Sequence, residues 1–390
     1  MPKMRVFVLF LLSFALLFPH IALPVAAEPA DTPSISAHAA ILVEAWSGDT
    51  VWARNAQERL PMASTTKLMT ALTALSLAPR DRVISVDPQA VGVEGSSVYL
   101  SEGEELTLEA LLFALMLESA NDAAVAIAIG LCGSVEAFAA QMNALAAEWD
   151  LQDTHFTNPH GLDDREHYTT ARDLAQIARR VLGNEALLRI VSTQKTTIPH
   201  EGVNDARLLV NHNKLLRTYD GCIGMKTGFT KKSGRCLVSA AERDGVRMIA
   251  VTLNAPDDWR DHTALLDYGF SRYRSLLLCE AEGLCVSSPV VSGKNDTLLL
   301  TNADGVRVTL PSSEQITIRE VVELPRFFYA PVTAGEPLGR VIWVADTDGD
   351  GESEILGESP LIATSSVEQE DGGHGFLFWL RRLFDRWFST

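Results

Sequence analysis

Apolar residues recur at helical spacing in the N-terminal part of this chain, where they predict a group of buried helices. Leu68, Met69, Leu72 and Leu75 mark the apolar face of one helix, which Pro79 ends. The same spacing predicts helices over 107–117, 122–131, 134–149 and 170–182. In the last of these, Thr170 is placed to cap the first turn, with Asp173 three residues later, and Gly183 stops it.

Runs of β-branched and apolar residues predict strands on both sides of these helices. The strands are predicted over 39–45, 50–53, 223–227, 235–241 and 247–253. A closing helix is predicted over 259–273. Strands at each end with helices between them indicate an α+β domain, in which a helical cluster lies on a sheet.

The pattern changes beyond residue 275, where short β-branched runs alternate with turns. These runs predict strands over 297–301, 307–310, 315–322 and 338–345. We therefore predict a catalytic domain over 28–274 and a small all-β domain over 275–363. Residues 364–375 are largely acidic and Gly-rich and are interpreted as a linker.

The two ends of the chain differ from the rest. Residues 1–27 have a basic start, a short apolar run and small residues before Glu28, which is typical of an export signal. Residues 376–390 place aromatic and leucine side chains on one helical face and mostly arginines on the other. This pattern predicts a helix in a membrane interface, with packing on this protein or a partner as the alternative.

The net charge of the chain and the spacing of its His and Cys residues disfavour two classes of function. The formal net charge of −17 and the absence of a Lys/Arg run disfavour nucleic-acid binding. No cofactor or metal is predicted, because no His or Cys spacing suits one. Residues 346–351 resemble the opening of a calcium loop, but its twelfth position is Gly357 where a bidentate Glu is required. We interpret them as a hairpin turn.

Five cysteines are present in a chain predicted to be exported, where disulfides are permitted. Cys222 and Cys236 flank one predicted strand and its return, so a bridge between them is conceivable. Cys279 and Cys285 are the other close pair. Free thiols are the favoured interpretation for all of them.

Three short strings in a fixed order carry the chemistry. Ser64-Thr-Thr-Lys67 supplies a hydroxyl and an amine one helical turn apart, Ser119-Ala-Asn121 a hydroxyl and an amide, and Lys226-Thr-Gly228 a cation and a hydroxyl. Each string alone is weak evidence, but the ordered set is the signature of penicillin-binding proteins and class A β-lactamases. It predicts acyl transfer with recognition of an anionic group.

In this site Ser64 is the predicted nucleophile and Lys67 the general base. The amine of Lys67 must be neutral to accept a proton, which burial and the second cation, Lys226, both favour. Ser119 is the predicted proton relay and Asn121 orients Lys67 and a substrate amide. A helix N-cap is the alternative role for each serine.

The last string is predicted to bind the substrate. Lys226 and Thr227 would hold an anionic terminus by charge and hydrogen bonding. Gly228 would leave room for a ligand strand against the sheet edge. Backbone N–H groups of Ser64 and Phe229 would form the oxyanion hole.

The chain resembles the low-molecular-mass penicillin-binding proteins that are serine-type D-alanyl-D-alanine carboxypeptidases. The similarity lies in PMASTTKLMTAL around Ser64, ESANDAA around Ser119, FTNPHGLDD from Phe156, HYTTARDLA from His167 and GMKTGFT around Lys226. It covers residues 39–275 firmly and the rest more loosely.

The resemblance implies a penicillin-binding/β-lactamase-like transpeptidase domain, a β-rich domain and a C-terminal membrane helix. It also implies removal of the terminal D-Ala from peptidoglycan stem pentapeptides through a Ser64 acyl-enzyme, with β-lactam antibiotics as covalent inhibitors. The protein would then act at the outer face of the cytoplasmic membrane.

One departure concerns the substrate carboxylate. Some relatives carry an arginine between two asparagines before the K-T-G strand, where this chain has His212. Carboxylate binding is therefore expected to depend more on Lys226 and Thr227. His160 and His167 also lie in strings shared with the family, and structural hydrogen bonding is favoured for both over catalysis.

Two other functions fit the same strings. A serine β-lactamase would need an added carboxylate base, and no E-x-x-x-N string follows Met142. A non-catalytic wall-binding scaffold would not need the intact set of Ser64, Lys67, Ser119 and Lys226. The carboxypeptidase is therefore the favoured interpretation.

Overall fold

Strands precede and follow a helical region along the chain, which gives the predicted α+β architecture. The computed structural model describes residues 32–200, 206–313, 316–346 and 353–370. The predicted signal segment 1–27 and the predicted helix 376–390 lie outside these ranges, as does most of the acidic loop 346–351.

The described residues contain the following elements. The helices are α1 (Lys67–Leu77), α2 (Leu108–Leu117), α3 (Asn121–Cys132), α4 (Val135–Glu148), α5 (Ala171–Leu182), α6 (Glu185–Ser192), α7 (Leu215–Thr218) and α8 (Asp258–Arg272). The strands are β1 (Ala39–Glu44), β2 (Thr50–Arg54), β3 (Val83–Ser85), β4 (Glu105–Thr107), β5 (Lys195–Ile198), β6 (Arg207–Val210), β7 (Cys222–Thr230), β8 (Gly234–Arg243), β9 (Val246–Leu253), β10 (Tyr273–Cys279), β11 (Val286–Val291), β12 (Thr297–Asn302), β13 (Val306–Pro311), β14 (Thr317–Glu323), β15 (Phe328–Tyr329), β16 (Pro337–Asp346) and β17 (Ser353–Ala363).

The main sheet is antiparallel, with the strand order β2-β1-β9-β8-β7. Alternate residues of β8 face opposite cores. Val238 and Ala240 pack in the core shared with α1 to α5, whereas Leu237 and Ala241 pack with residues of α8. Both faces of the sheet are therefore covered, and β7, which carries the third string, lies at an edge.

A second sheet follows, with six strands in the order β14-β16-β17-β12-β11-β15. Its core includes Val290, Leu300, Val341 and Trp343. The four predicted strands of this region are found with ends within about two residues of those expected. The β-rich region predicted after the helices is thus present, while its exact boundary at 275 stays a prediction.

The sequence patterns did not predict the short exposed strands. The hairpin of β5 and β6 has one buried residue in each strand, Ile198 and Leu209, so it lacks the alternation that marks a half-buried strand. The predicted helix over 259–273 ends at Arg272, because Tyr273 begins a strand that pairs with β13.

The cysteines are free thiols in the structure. Cys222 lies opposite Ala241, and Cys236 lies opposite Gly228, so the two are at different levels of the β7–β8 ladder. The conceivable bridge between them is not formed. Cys279 and Cys285 are also unbridged.

Within the described ranges, no single helix has both the length and the apolar composition needed to cross a membrane. Asn121–Cys132 and Val135–Glu148 meet the test only as a pair, and that pair is bent by 85°.

The predicted cap of α5 is present and provides a test of the fold. The Thr170 side chain accepts a hydrogen bond from the backbone N–H of Asp173, 3.0 Å away. We expect Thr170→Ala to lower the free energy of unfolding by about 1 kcal/mol in denaturant titrations. Thr170→Ser keeps the hydroxyl and should lose less than half of that. Equal losses in the two variants would contradict the capping role.

Candidate active site

Ser64 lies in a 3₁₀ turn, Ala63–Thr66, that runs directly into α1. Two threonine hydroxyls hold the turn: Oγ1 of Thr65 donates to the Met62 carbonyl at 2.6 Å, and Oγ1 of Thr66 donates to the Ala63 carbonyl at 2.8 Å. The N-cap of α1 is Thr66, without a side-chain capping bond. Ser64 therefore does not cap α1, which leaves its hydroxyl available.

Lys67 is the first residue of α1, and its side chain is fully buried. Its Nζ lies 3.0 Å from Oγ of Ser64, 2.7 Å from Oδ1 of Asn121 and 2.6 Å from the backbone carbonyl oxygen of His160. Burial, together with the charge of Lys226, lowers the pKa of Lys67 well below its ordinary value. Asp122 opposes this shift.

The second string lies between α2 and α3. Asn121 begins α3 and bridges two parts of the site, because its Nδ2 also donates to the Glu94 carbonyl at 2.6 Å. Ser119 is buried and has a positive φ of 61°. Among the described residues no hydrogen bond joins Ser119 to Lys67. The N-cap of α3 is Ala120, so neither polar side chain of the string caps that helix.

Asp122 holds the loop over this string and was not singled out from the sequence. Its carboxylate accepts from the backbone N–H groups of Val98 and Leu100 and from the hydroxyl of Ser97. The only sequence signal for this role was an acidic residue directly after the second string. The same loop supplies the Glu94 carbonyl that binds Asn121.

Lys226 is nearly inaccessible, and its Nζ donates to the Thr227 carbonyl at 3.0 Å. A register shift in β7 between Cys222 and Gly224 precedes it, and such bulges re-aim side chains beside functional sites. Burial lowers the pKa of Lys226 to about 7, while the nearby charge of Glu118 opposes the change. Burial therefore works against the charged form that the sequence analysis expected of Lys226.

Gly228 also has a close contact that the sequence did not indicate. A Cβ added there would lie 3.0 Å from the backbone nitrogen of Ser64 and 3.1 Å from that of Thr65. The missing side chain thus makes room for the nucleophile's own turn, and not only for a ligand strand. This contact sets the edge of β7 directly against Ser64.

The three strings meet around one cavity of about 360 Å³. The residues that line it include Ser64, Ser119, His212, Thr227, Gly228 and Phe229. Lys67 and Lys226 are buried near its walls, with the Lys67 amine against Ser64. A hydroxyl, a buried amine beside it and a strand that carries a second buried lysine thus lie around one crevice, which is the arrangement that acyl transfer requires.

Comparison with known proteins agrees with this geometry. The family model described as D-alanyl-D-alanine carboxypeptidase matches residues 26–257, which is more than half of the chain. The chain belongs to the D-alanyl-D-alanine carboxypeptidase family. This finding supports a serine peptidase of peptidoglycan over the β-lactamase and scaffold alternatives.

Relatives extend the similarity beyond the matched region. D-alanyl-D-alanine carboxypeptidase DacF of Bacillus subtilis is 30% identical over 360 residues, which is 90% of each chain. The solved structure of PBP3 of Streptococcus pneumoniae, a peptidoglycan synthesis regulatory factor, matches with a TM-score of 0.69 and 25% identity, over 86% of this chain and all of that one. Penicillin binding protein 5 of Haemophilus influenzae matches with a TM-score of 0.62 and 26% identity, over 87% of this chain and all of that one.

The histidines of this carboxypeptidase family member hold its loops. Nδ1 of His167 accepts from the Thr157 N–H, and its Nε2 is 2.8 Å from Oγ1 of Thr66. Burial lowers the pKa of His167 to about 4 and that of His160 to about 3. Nδ1 of His160 accepts from the Leu162 N–H at 3.2 Å, so both rings hydrogen-bond within loops, as their predicted structural role requires. The backbone carbonyl of His160, however, binds Lys67, which no side-chain pattern could have indicated.

His212 lines the cavity, and its Nε2 lies 3.2 Å from Oε2 of Glu118. Glu118 also accepts the backbone N–H of Val210. Arg235 lines the same cavity and pairs with Asp258 at 2.9 Å. The described part of the chain has no group of three metal-binding side chains.

The Gly228 contact gives a direct test. We expect Gly228→Ala to slow acylation of Ser64 by about a hundredfold, because the added Cβ displaces the Ser64 turn. Gly183→Ala is a matched control, since a Cβ there meets only ordinary contacts at 3.7 Å. Penicillin-labelling kinetics measure both. An unchanged rate in Gly228→Ala would show that the turn relaxes freely.

Proposed function

We propose that this chain removes the terminal D-alanine from peptidoglycan stem pentapeptides through an acyl-enzyme on Ser64. The observation that carries the proposal is the set of three contacts made by the buried Lys67 amine. Two of the partners, the Asn121 amide oxygen and the His160 carbonyl oxygen, can only accept hydrogen bonds. The third is a hydroxyl, which can donate.

A neutral amine has two N–H donors and one lone pair, and these match the three partners of Lys67. With both N–H groups on carbonyl oxygens, the lone pair faces the Ser64 hydroxyl. Lys67 then removes the proton as Ser64 Oγ attacks the carbonyl carbon of the penultimate D-Ala. The negative charge that forms on the carbonyl oxygen would be held by the N–H groups of Ser64 and Phe229.

Collapse of this intermediate breaks the C–N bond and releases D-alanine, whose amine takes a proton from Lys67, directly or through Ser119. Water then attacks the ester carbonyl while Lys67 accepts its proton. The bond between the acyl carbon and Ser64 Oγ breaks, Lys67 returns the proton to Oγ, and the shortened stem peptide leaves with a free carboxyl group. Because Ser119 makes no hydrogen bond to Lys67 in the structure, its relay role requires the substrate to complete the chain. Asn121 keeps Lys67 in place throughout.

The carboxylate of the terminal D-Ala would bind Lys226 and Thr227, with Arg235 and His212 on the same cavity. β-Lactam antibiotics would acylate Ser64 in the same way. A cell-wall substrate supports action outside the cytoplasm. We place the protein at the outer face of the cytoplasmic membrane, exported by residues 1–27 and attached through residues 376–390.

Removal of the nucleophile tests the proposal. Ser64→Ala should lower the rate of D-Ala release from a stem pentapeptide by at least about a thousandfold. Mass spectrometry of the products measures this rate. Ser76→Ala, near the end of α1, is the control and should release D-Ala at the rate of the parent. Fluorescent penicillin should label the parent and Ser76→Ala only. A parent that remains unlabelled would support the scaffold, and rapid turnover of a chromogenic cephalosporin would support the β-lactamase.

The pKa of Lys226 predicts the alkaline side of the pH profile. The ammonium form binds the carboxylate, so kcat/KM should fall as pH rises through about 7, approaching tenfold per pH unit. Glu118 raises this pKa, so Glu118→Gln should move the fall to lower pH. Glu109→Gln, which removes a surface carboxylate paired with Arg80, should leave the fall at the same pH. A profile that Glu118→Gln leaves unchanged would assign the carboxylate to Arg235 instead.

A further inference from the structure

Two aromatic side chains stand exposed beside the short strand β15. Phe327 is 44% exposed and Tyr329 is 63% exposed, and their rings stack edge to face with centroids 5.3 Å apart. Phe328 between them packs against the core of the second sheet. We call Phe327 and Tyr329 the aromatic patch. Nothing in the proposed reaction uses it.

The aromatic patch lies where the described chain ends. Tyr329 pairs with Val291 of β11, and the backbone N–H of Glu370 donates to the carbonyl of Ser292, the next residue, at 2.9 Å. Val291 and Ser292 are consecutive residues, so Glu370 and Tyr329 lie within about 10 Å of each other, or two strand spacings. The last described residue, Glu370, therefore lies beside the aromatic patch.

The sequence that follows identifies the partner. Five residues, 371–375, separate Glu370 from the start of the aromatic and arginine-rich segment 376–390. Such a stretch spans about 20 Å at most when fully extended. A segment that lies in a membrane interface would thus hold the aromatic patch close to the same surface.

We propose that the aromatic patch is a second membrane contact, which enters the lipid headgroup region beside residues 376–390. Aromatic rings favour this region, and the hydroxyl of Tyr329 remains among the headgroups. The adjacent Arg326 would lie against anionic phosphates. Two contacts with the membrane would fix the orientation of the second sheet, which a single contact would not. The inference rests on the membrane attachment proposed above.

The test uses the full chain and vesicles of phosphatidylethanolamine and phosphatidylglycerol. The double variant Phe327→Ser/Tyr329→Ser removes the aromatic patch. The matched control, Leu208→Ser/Ile355→Ser, removes two apolar side chains that are 63% and 55% exposed elsewhere on the surface. A third variant lacks residues 376–390. Flotation measures the vesicle-bound fraction, and thermal unfolding confirms that each variant is folded.

We expect the patch variant to bind vesicles about tenfold more weakly than the parent, and the control to bind within about twofold of it. Hydrogen exchange on vesicles should slow at residues 326–330 and not at 353–359. Full binding by the truncated chain would overturn the membrane attachment itself. If the truncated chain loses vesicle binding while the patch variant binds and exchanges like the parent, only the proposed role of the aromatic patch is overturned. Weaker retention of the patch variant on purified peptidoglycan, with unchanged vesicle binding, would assign the patch to the wall.

Discussion

Burial of the Lys67 amine is the constraint on which the site depends. A charged amine without solvent is costly, so the fold favours the neutral form and supplies two carbonyl oxygens for its N–H groups. The remaining lone pair is then directed at Ser64. Without this arrangement Ser64 would be an ordinary serine in a turn, because its hydroxyl alone is a weak nucleophile at neutral pH.

Several distant segments must meet for that burial to work. Asn121 is fixed by the loop that Asp122 holds, and the His160 carbonyl is fixed by a loop whose His167 binds Thr66, in the turn beside Ser64. β7 closes the other side, where Gly228 permits contact with that turn. Because each of these segments contacts either the Ser64 turn or Lys67, the packing of the fold also sets the geometry of the site.

Sequence patterns predicted the parts of this structure that carry a local signal. α2 is apolar on nearly all sides, α5 has a marked apolar face, and the cap at Thr170 has a recognisable residue pair, so these features were found close to their observed positions. The three strings also meet as expected. Patterns could not show the His160 carbonyl, since a backbone atom leaves no residue signature. Nor could they show that Gly228 faces the Ser64 turn, which depends on how two distant segments pack.

The two buried lysines impose opposite requirements on one cavity. In the proposed reaction Lys67 is neutral so that it can accept a proton, whereas Lys226 is charged so that it can hold a carboxylate. A positive charge on either amine disfavours a positive charge on the other. The nearby carboxylate of Glu118 favours the charged form of Lys226. A substrate carboxylate would add a second negative charge beside Lys226 and so favour its ammonium form further. Binding would thus place the positive charge on Lys226 and help keep Lys67 neutral at the moment when Ser64 must lose its proton.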